Sequence, residues 1–254
     1  MQARLWLRLP ITELCSNRPN TQELSLLKIF KNILRGIVVA FFASTILSVV
    51  VLRFIPVLFT PLMFIRSYQQ VKEGRELKLT HYWVSQEHIS SYLSLAVMAS
   101  EDANFLKHHG FDFKAIENAA KRNVLHPEKR KLGGSTISQQ TAKNVFLWPG
   151  RSWIRKGLEV YFTFLIEMMW SKQRIMEVYL NSIEMGEGIY GAEAVSQEHF
   201  NRPAASLTKE QCALIAATLP NPRRLSSKNP SLYVKKRQKH IIKEMNYLSK
   251  VLKE

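Results

Sequence analysis

One uncharged apolar run, from Gly36 to Leu52, restricts what this chain can fold into more than any other feature of its sequence. About 17 residues is the short limit for a helix that crosses a membrane. The apolar character resumes after Arg53, whose long side chain can reach lipid headgroups, and it continues to Phe59. We therefore predict a single transmembrane helix over residues 36–59.

Two other interpretations of this run are a cleaved signal peptide and a buried core helix. A signal peptide normally has a short leader and a cleavage site with small residues. Here about 35 residues precede the run, and Arg-Phe-Ile-Pro follows it. An anchor that stays in the protein accounts better for both flanks.

The residues before the run indicate its orientation. Residues 1–35 are predicted to be a weakly ordered leader with an excess of basic side chains, and short basic segments stay on the cytoplasmic side of a membrane. Residues 60–83 would then connect the helix to an extracytoplasmic domain at 84–254. The charged residues of the leader are Arg4, Arg8, Arg18, Lys28, Lys31 and Arg35 against Glu13 and Glu23.

The chain as a whole is strongly basic, with a net charge of +16. A long domain is translocated largely regardless of its charge, so this does not contradict the orientation. Basic surface favours anionic lipid headgroups or a substrate that carries phosphates. Nucleic acid is not expected as a partner, because the sequence contains no zinc-finger spacing, basic heptad or aromatic RNA-binding signature.

The domain after the anchor has helical periodicity almost throughout, and few segments look like strands. The two cysteines, Cys15 and Cys212, would lie on opposite sides of the membrane, so neither a disulfide nor a cysteine metal cluster is expected. The fold class is predicted to be mainly α. The predicted helices are Phe113–Val124, Trp153–Trp170, Lys172–Asn181, Thr208–Leu219 and Tyr233–Leu252.

The first candidate for chemistry is the segment Glu101–Gly110. Ile89–Ala99 has apolar residues at helical spacing, which places Glu101 at or near the end of a buried helix. A carboxylate there is held on a rigid element and partly removed from water, as a general base requires. A solvated helix end or a cap for the next turn would have the same local pattern.

A second candidate begins with a glycine pair, Gly133 and Gly134, before Ser135 and Thr136. A helix that starts there would expose backbone N–H groups and hydroxyls to an anion or a sugar oxygen. Further on, Arg155 and Glu159 lie four residues apart on one helix face. An N-capped helix and a surface ion pair are the structural alternatives for these two segments. Three more polar residues of the second segment would lie on the first turns of its helix: Gln139, Gln140 and Lys143.

Taken together, four blocks resemble the signature blocks of the peptidoglycan glycosyltransferase family. The similarity covers roughly residues 82–225. The blocks are Glu101-Asp-x-x-Phe-x-x-His-x-Gly, Gly133-Gly-Ser-Thr-Ile-Ser-Gln-Gln-x-x-Lys-Asn, Arg155-Lys-x-x-Glu159 and Arg174-Ile-Met-Glu-Val-Tyr-Leu-Asn181.

The resemblance implies a lysozyme-like helical domain, anchored in the bacterial inner membrane, that polymerises lipid II into β-1,4-linked glycan. It implies that Glu101 deprotonates the acceptor hydroxyl and that Glu159 assists departure of undecaprenyl diphosphate. Substrate or diphosphate contacts are implied for Lys143, Arg151, Ser135, Gln139, Gln140 and Asp102. Supporting roles are implied for Phe105, His108, Gly133, Gly134, Thr136, Arg155, Lys156 and Asn181.

The implied partners are lipid II, the lipid-linked glycan chain and the bilayer, with cell-division or other cell-wall synthesis proteins as further candidates. Any Mg²⁺ or Mn²⁺ would be held mainly by the substrate diphosphate, because the sequence has no metal-ligand cluster. Two other functions stay open. A lysozyme-like muramidase or lytic transglycosylase also uses a glutamate at a helix end, and a non-catalytic anchored scaffold could bind the same precursors.

Overall fold

The computed structural model describes residues 21–128, 133–150 and 152–252, with side chains from residue 25 onward. The first helix, α1, runs from Thr21 to Leu52 and is long and apolar enough to cross a membrane from Ser25 onward. Its apolar side chains are mostly exposed, which fits a lipid-facing helix better than a core helix. Residues 21–35, predicted to be weakly ordered, are therefore helical.

A second compact unit begins at Ser48 and is mainly helical, as predicted. Its strands form one small sheet in the order β1-β3-β2, with β1 parallel and β2 antiparallel to β3. The helices that follow α1 are α2 (Pro61–Lys72), α3 (Ser91–Glu101), α4 (Phe113–Leu125), α5 (Ile137–Phe146), α6 (Trp153–Met169), α7 (Lys172–Ser182), α8 (Ala192–Phe200), α9 (Lys209–Thr218) and α10 (Leu232–Val251). The strands are β1 (Thr80–His81), β2 (Glu184–Gly186) and β3 (Ile189–Tyr190).

The core of this unit lies between two groups of helices. Helices α3, α9 and α10 pack together, and α5 packs against both α6 and α7. Helix α3 buries one face, formed by Leu93, Ala96, Val97 and Met98, because the side chains on that face are small or apolar. Glu101 therefore lies at the C-terminal end of a packed and rigid helix.

Helix α1 ends earlier than the sequence suggested, at Leu52 and not near Phe59. The indole N–H of Trp170 donates to the Val49 carbonyl (2.8 Å), and the Arg174 guanidinium donates to the Leu52 carbonyl (2.8 Å). Carbonyls at a helix end lack partners within the helix, and cationic side chains can satisfy them there.

The segment 60–83, predicted as a connection, contains α2 and β1. Strand β1 lies beside β3 because the Thr80 N–H donates to the Gly188 carbonyl (2.8 Å). A side chain at Gly188 would lie 2.3 Å from the Lys78 carbonyl oxygen, so only glycine permits this approach. A strand of two residues has too few positions to show an alternating pattern, which explains why the sequence did not indicate it.

Cys212 lies fully buried on α9, and burial raises the pKa of its thiol to about 12. The first 20 residues, which include Cys15, lie outside the described residues.

Candidate active site

Glu101 is the last residue of α3, and its carboxylate accepts two hydrogen bonds. The Ser100 hydroxyl donates to Oε1 (3.2 Å), and the Gln140 amide donates to Oε2 (3.2 Å). Ser100 is in turn approached by the Arg237 guanidinium of α10 (3.2 Å). These two donors hold the carboxylate in one orientation at the end of α3.

The Gln140 amide is held in one orientation by Tyr179 of α7. The Tyr179 hydroxyl donates to the Gln140 carbonyl oxygen (3.3 Å), which leaves the amide N–H₂ facing Glu101. Burial, together with the negative charges of Glu101 and Asp102, raises the pKa of Tyr179 well above its usual value. The hydroxyl therefore stays protonated and remains a donor.

Asp102 joins the end of α3 to the start of α5. Its buried carboxylate accepts the backbone N–H of Ile137, the first residue of α5 (3.0 Å), and also contacts His108 Nε2 (3.0 Å). Because the Gly110 N–H donates to His108 Nδ1 (3.1 Å), the imidazole proton lies on Nε2 and points to Asp102. Asp102 thus braces the site.

The entry to α5 is fixed by a capping box. Thr136 Oγ1 accepts the Gln139 N–H, and Gln139 Oε1 accepts the Thr136 N–H (3.0 Å). Thr136 Oγ1 also donates to the Gly110 carbonyl (2.6 Å), which ties the first block to the second. Gln139 is buried in this cap, so it is placed to brace the cleft. Asp102 also lines the cavity beside Glu101.

The glycine pair lines an open cavity of about 270 Å³ beside Glu101. A side chain at Gly134 would lie 2.9 Å from the Ile116 backbone of α4, so the close approach of these segments requires glycine. Ser135 is exposed in the same cavity, together with Gly133. These residues can therefore meet a substrate next to the candidate base.

Glu159 lies on α6, the helix that follows α5 in the chain, and is 3% exposed. It accepts Lys156 Nζ (2.5 Å) and Arg155 Nη1 (3.4 Å), both from its own helix. A buried carboxylate needs such partners. The sequence left open whether Arg155 and Glu159 form a surface ion pair. In the structure the carboxylate of this pair is buried.

Lys143 lies on the same face of α5 as Gln140, one turn later. Burial lowers the pKa of Lys143, and the positive charges of Arg155 and Lys156 act in the same direction, whereas the negative charges of Glu159 and Glu101 oppose the change. Among the residues the structure describes, its ammonium has no ion pair within 4.0 Å. Lys143 is thus a cation near both glutamates that is free to meet an anion.

Several predicted residues support the site from the core. Phe105 is buried and lies under the Lys172 ammonium, which is 4.6 Å from the ring centroid. Asn181 accepts the Val84 N–H (3.0 Å) and donates to the Val84 carbonyl (2.9 Å), which holds the start of the domain. Arg151, a predicted diphosphate ligand, lies outside the described residues.

Four residues near the site were not identified from sequence. Ser100 contacts Glu101 directly. Arg237 is linked to Glu101 through the Ser100 hydroxyl, and Tyr179 orients Gln140. Arg66 lines a cavity with Lys143. Tyr179 belongs to the fourth block, so its place in the motif was a signal that could have been followed.

The arrangement suits glycosyl transfer with an anionic leaving group. One carboxylate can accept a proton from a hydroxyl, and Lys143, on the same face of α5 as Gln140, can stabilise charge on a departing phosphate. Within the described ranges, no group of three His, Cys, Asp or Glu side chains could hold a metal ion.

A lysozyme-like helical domain with this pair of glutamates defines a glycosyl-transferring enzyme of cell-wall chemistry. Residues 69–246 match the family model described as Transglycosylase, and the chain belongs to that family. It is 62% identical over 216 residues to a biosynthetic peptidoglycan transglycosylase of Bacteroides thetaiotaomicron, covering 85% of this chain and 86% of the relative.

Two further relatives carry the same name. The chain is 54% identical to the protein of Bdellovibrio bacteriovorus, with 81% of each chain covered. It is 50% identical to that of Caulobacter vibrioides, with 84% of this chain and 90% of the relative covered.

Proposed function

We propose that this chain is a peptidoglycan glycosyltransferase that polymerises lipid II into β-1,4-linked glycan and releases undecaprenyl diphosphate. The observation that carries the proposal is the position of α5. Its Gln140 donates to Glu101, while Lys143, one turn later, lies within the electrostatic reach of both Glu101 and Glu159.

Glu101 acts as the general base. Its carboxylate accepts the proton of the 4-hydroxyl of the acceptor lipid II, and the hydroxyl oxygen attacks C1 of the muramyl unit of the lipid-linked donor. The bond from C1 to the diphosphate oxygen breaks, and its electron pair leaves with the diphosphate. Attack opposite to the leaving group inverts C1 and produces the β-linkage.

The cations of the second and third blocks stabilise the leaving diphosphate. Lys143 has no carboxylate partner among the described residues, and we assign it together with Arg151 to the diphosphate oxygens. Glu159 holds Arg155 and Lys156 in place and keeps the local charge balanced before substrate enters. Fixed charges in a partly desolvated cleft stabilise a developing anion without reorganisation.

A divalent ion, Mg²⁺ or Mn²⁺, would be held mainly by the substrate diphosphate. The carboxylate of Glu159 already has two cationic partners, so it is a poor anchor for a resident metal. A bound ion would supply further positive charge for the leaving diphosphate. Restoration of activity by Mg²⁺ after chelation would support this role.

The domain is proposed to work on the outer face of the inner membrane, with the N-terminus in the cytoplasm. The apolar helix α1 supports a single anchor, and the basic leader supports the orientation. Cell-division and other cell-wall synthesis proteins are the proposed protein partners. Both substrates are lipid-linked, so an anchored enzyme searches for them in a plane.

The cations also argue against the two alternative functions. A muramidase cuts preformed glycan and has no diphosphate to neutralise, so it does not need Lys143 near its carboxylates. A scaffold needs no oriented amide beside Glu101. Both alternatives also disagree with the names of the relatives, which are biosynthetic transglycosylases.

The test is polymerisation of fluorescently labelled lipid II by the full-length protein. Wild type should form polymer, and Glu101→Gln should form none because the amide cannot accept the proton. Glu87→Gln, the same change at an exposed position, is the control and should retain activity. Polymer formation by Glu101→Gln would refute the assigned base, and cleavage of preformed glycan without polymerisation would favour a muramidase.

A further inference from the structure

Arg66 lies on α2, in front of the segment that matches the family model, which begins at residue 69. Its side chain is 25% exposed. It lines a cavity of about 330 Å³ together with Lys143 and Arg155. Helix α2 packs directly against α5, so packing between the two helices holds the backbone of Arg66 in place.

The guanidinium of Arg66 is only partly satisfied by the protein. Its Nη1 donates to Gln69 (2.9 Å), while its Nε is buried without a hydrogen-bond acceptor. The carboxylate of Glu184 lies 3.8 Å from Nε, which is too far for a hydrogen bond. No acceptor is recorded for Nη2 among the described residues, so Arg66 has donor capacity left for a ligand.

The charged side chains that line this cavity are all cationic, and the carboxylates that pair with Arg66 and Arg155, Glu184 and Glu159, are not part of the lining. Its lining contains Arg66, Lys143 and Arg155 and, within the described part of the chain, no carboxylate. Arg155 is also incompletely satisfied, because its Nε is buried without an acceptor. Three cations around one small cavity repel one another, and a group with more than one negative charge would relieve that repulsion.

We propose that Arg66 is a third binding residue for the diphosphate of the lipid-linked substrate, next to Lys143. The inference rests on the proposed function, and it adds a contact from outside the matched family segment. An arginine presents a planar fork that can bind two phosphate oxygens at once, which a single lysine cannot do. Helix α2 thus forms part of the active site and is more than a connection.

Arg66 also has a structural partner, and the test must separate the two roles. Burial raises the pKa of Glu184, and the positive charge of Arg66 opposes that change. Loss of Arg66 could therefore destabilise the fold through Glu184 without any effect on substrate. Thermal unfolding of each variant measures this structural contribution.

The experiment measures lipid II binding to the full-length protein in the Glu101→Gln background, where no turnover occurs. Arg66→Gln should weaken the Kd about tenfold, as expected for one lost charge-assisted hydrogen bond. Arg66→Lys keeps the charge but not the fork and should weaken it about threefold. Lys72→Gln makes the same charge change at an exposed position of α2 and should leave the Kd unchanged.

The same variants with Glu101 intact should show the effect in KM. An unchanged Kd and KM for Arg66→Gln would overturn the inference, whether or not the unfolding temperature falls. Equal weakening by Arg66→Gln and Lys72→Gln would also overturn it, because that result indicates general attraction between a basic protein and an anion. Failure of wild type to polymerise lipid II would instead refute the proposed function.

Discussion

Glu159 is a closely held carboxylate near the cleft. Two cations of its own helix hold it, and it is nearly inaccessible to solvent. We propose that this carboxylate influences catalysis through the charges that it positions. Its removal should therefore affect the transition state, where charge develops on the diphosphate, more than the bound ground state.

Glu159→Gln is expected to lower kcat about a hundredfold while changing the lipid II Kd less than about threefold. The control is Glu117→Gln, which removes an exposed ion pair of the same i,i+4 type with Lys121 and should leave kcat unchanged. Steady-state polymerisation and equilibrium binding provide the two quantities. A Kd that weakens as much as kcat falls would show that Glu159 positions substrate.

Lys143 should make diphosphate binding sensitive to alkaline pH. Burial lowers its pKa below the usual 10.5, so its ammonium loses the proton at a lower pH than a free lysine does. Lipid II affinity should therefore decline as pH rises toward 10.5, and Lys143→Arg should move that decline to higher pH. Binding measured from about pH 7 to about pH 10 tests this.

The direction of the linked stability effect separates this decline from unfolding. Between the lowered pKa and 10.5, the unfolded chain binds a proton at Lys143 that the folded protein has lost. Stability contributed by this group therefore rises with pH in that window. An affinity that stays constant up to pH 10.5 in wild type would contradict the assigned role of Lys143.

Sequence predicted the residues that carry charge at this site better than those that orient them. Glu101, Lys143 and Glu159 occupy fixed places in ordered blocks, so a resemblance identifies them. Ser100 and Arg237 meet only because α3 packs on α10, and that packing cannot be seen along the chain. Contacts between distant segments are the part that needed the structure.

At the scale of elements, α5 organises the site from its first residue. Asp102 accepts the Ile137 N–H, and Thr136 caps the same end while it holds the Gly110 carbonyl. Three segments therefore meet at one helix terminus. Any loss of this cap should change the direction in which Gln140 and Lys143 project.

Two capping boxes allow this to be tested with a matched pair. Thr136→Ala and Thr208→Ala each remove a threonine cap, at the start of α5 and of α9 respectively. Thr208→Ala should cost about 1 kcal/mol of unfolding free energy. Thr136→Ala should cost about 1 kcal/mol more, because it also loses the buried hydrogen bond to the Gly110 carbonyl. Thr136→Ala should also lower polymerisation severalfold, whereas Thr208→Ala should not.

Urea unfolding and the polymerisation assay provide both measurements. Equal activity of the two folded variants would show that the α5 cap has no special link to the site. The unfolding free energy lost with one cap is small compared with the stability of an ordinary domain. Complete unfolding of the Thr136→Ala variant would therefore mean a loss larger than expected for a cap.

The helices were largely predictable and the small sheet was not. Helices α4, α6, α7, α9 and α10 begin and end within one or two residues of their predicted bounds, because helical periodicity over ten or more residues is a strong signal. Helix α2 and strand β1 were missed because they lie in the segment interpreted as a connection. Their assignment depends on pairing with β3 and packing on α5.

At the scale of the whole molecule, the proposed orientation determines whether the cleft can meet lipid II after it has crossed the membrane. Tags at both ends of the full chain test it. In spheroplasts, added protease should remove a C-terminal tag and spare an N-terminal one, because the basic leader stays inside. Both tags should be removed after lysis, and the opposite pattern in intact spheroplasts would refute the orientation.

The position of Gln140 and Lys143 on one helix has a further consequence for substrate choice. They are three residues apart, so about 4.5 Å of helix axis separates them. An α-helix does not stretch, so the backbone positions from which these two side chains project stay at a constant separation. A donor must place its anomeric carbon and its phosphorus at matching points simultaneously. A sugar with one extra atom between the anomeric carbon and the phosphate would match only one of these two points.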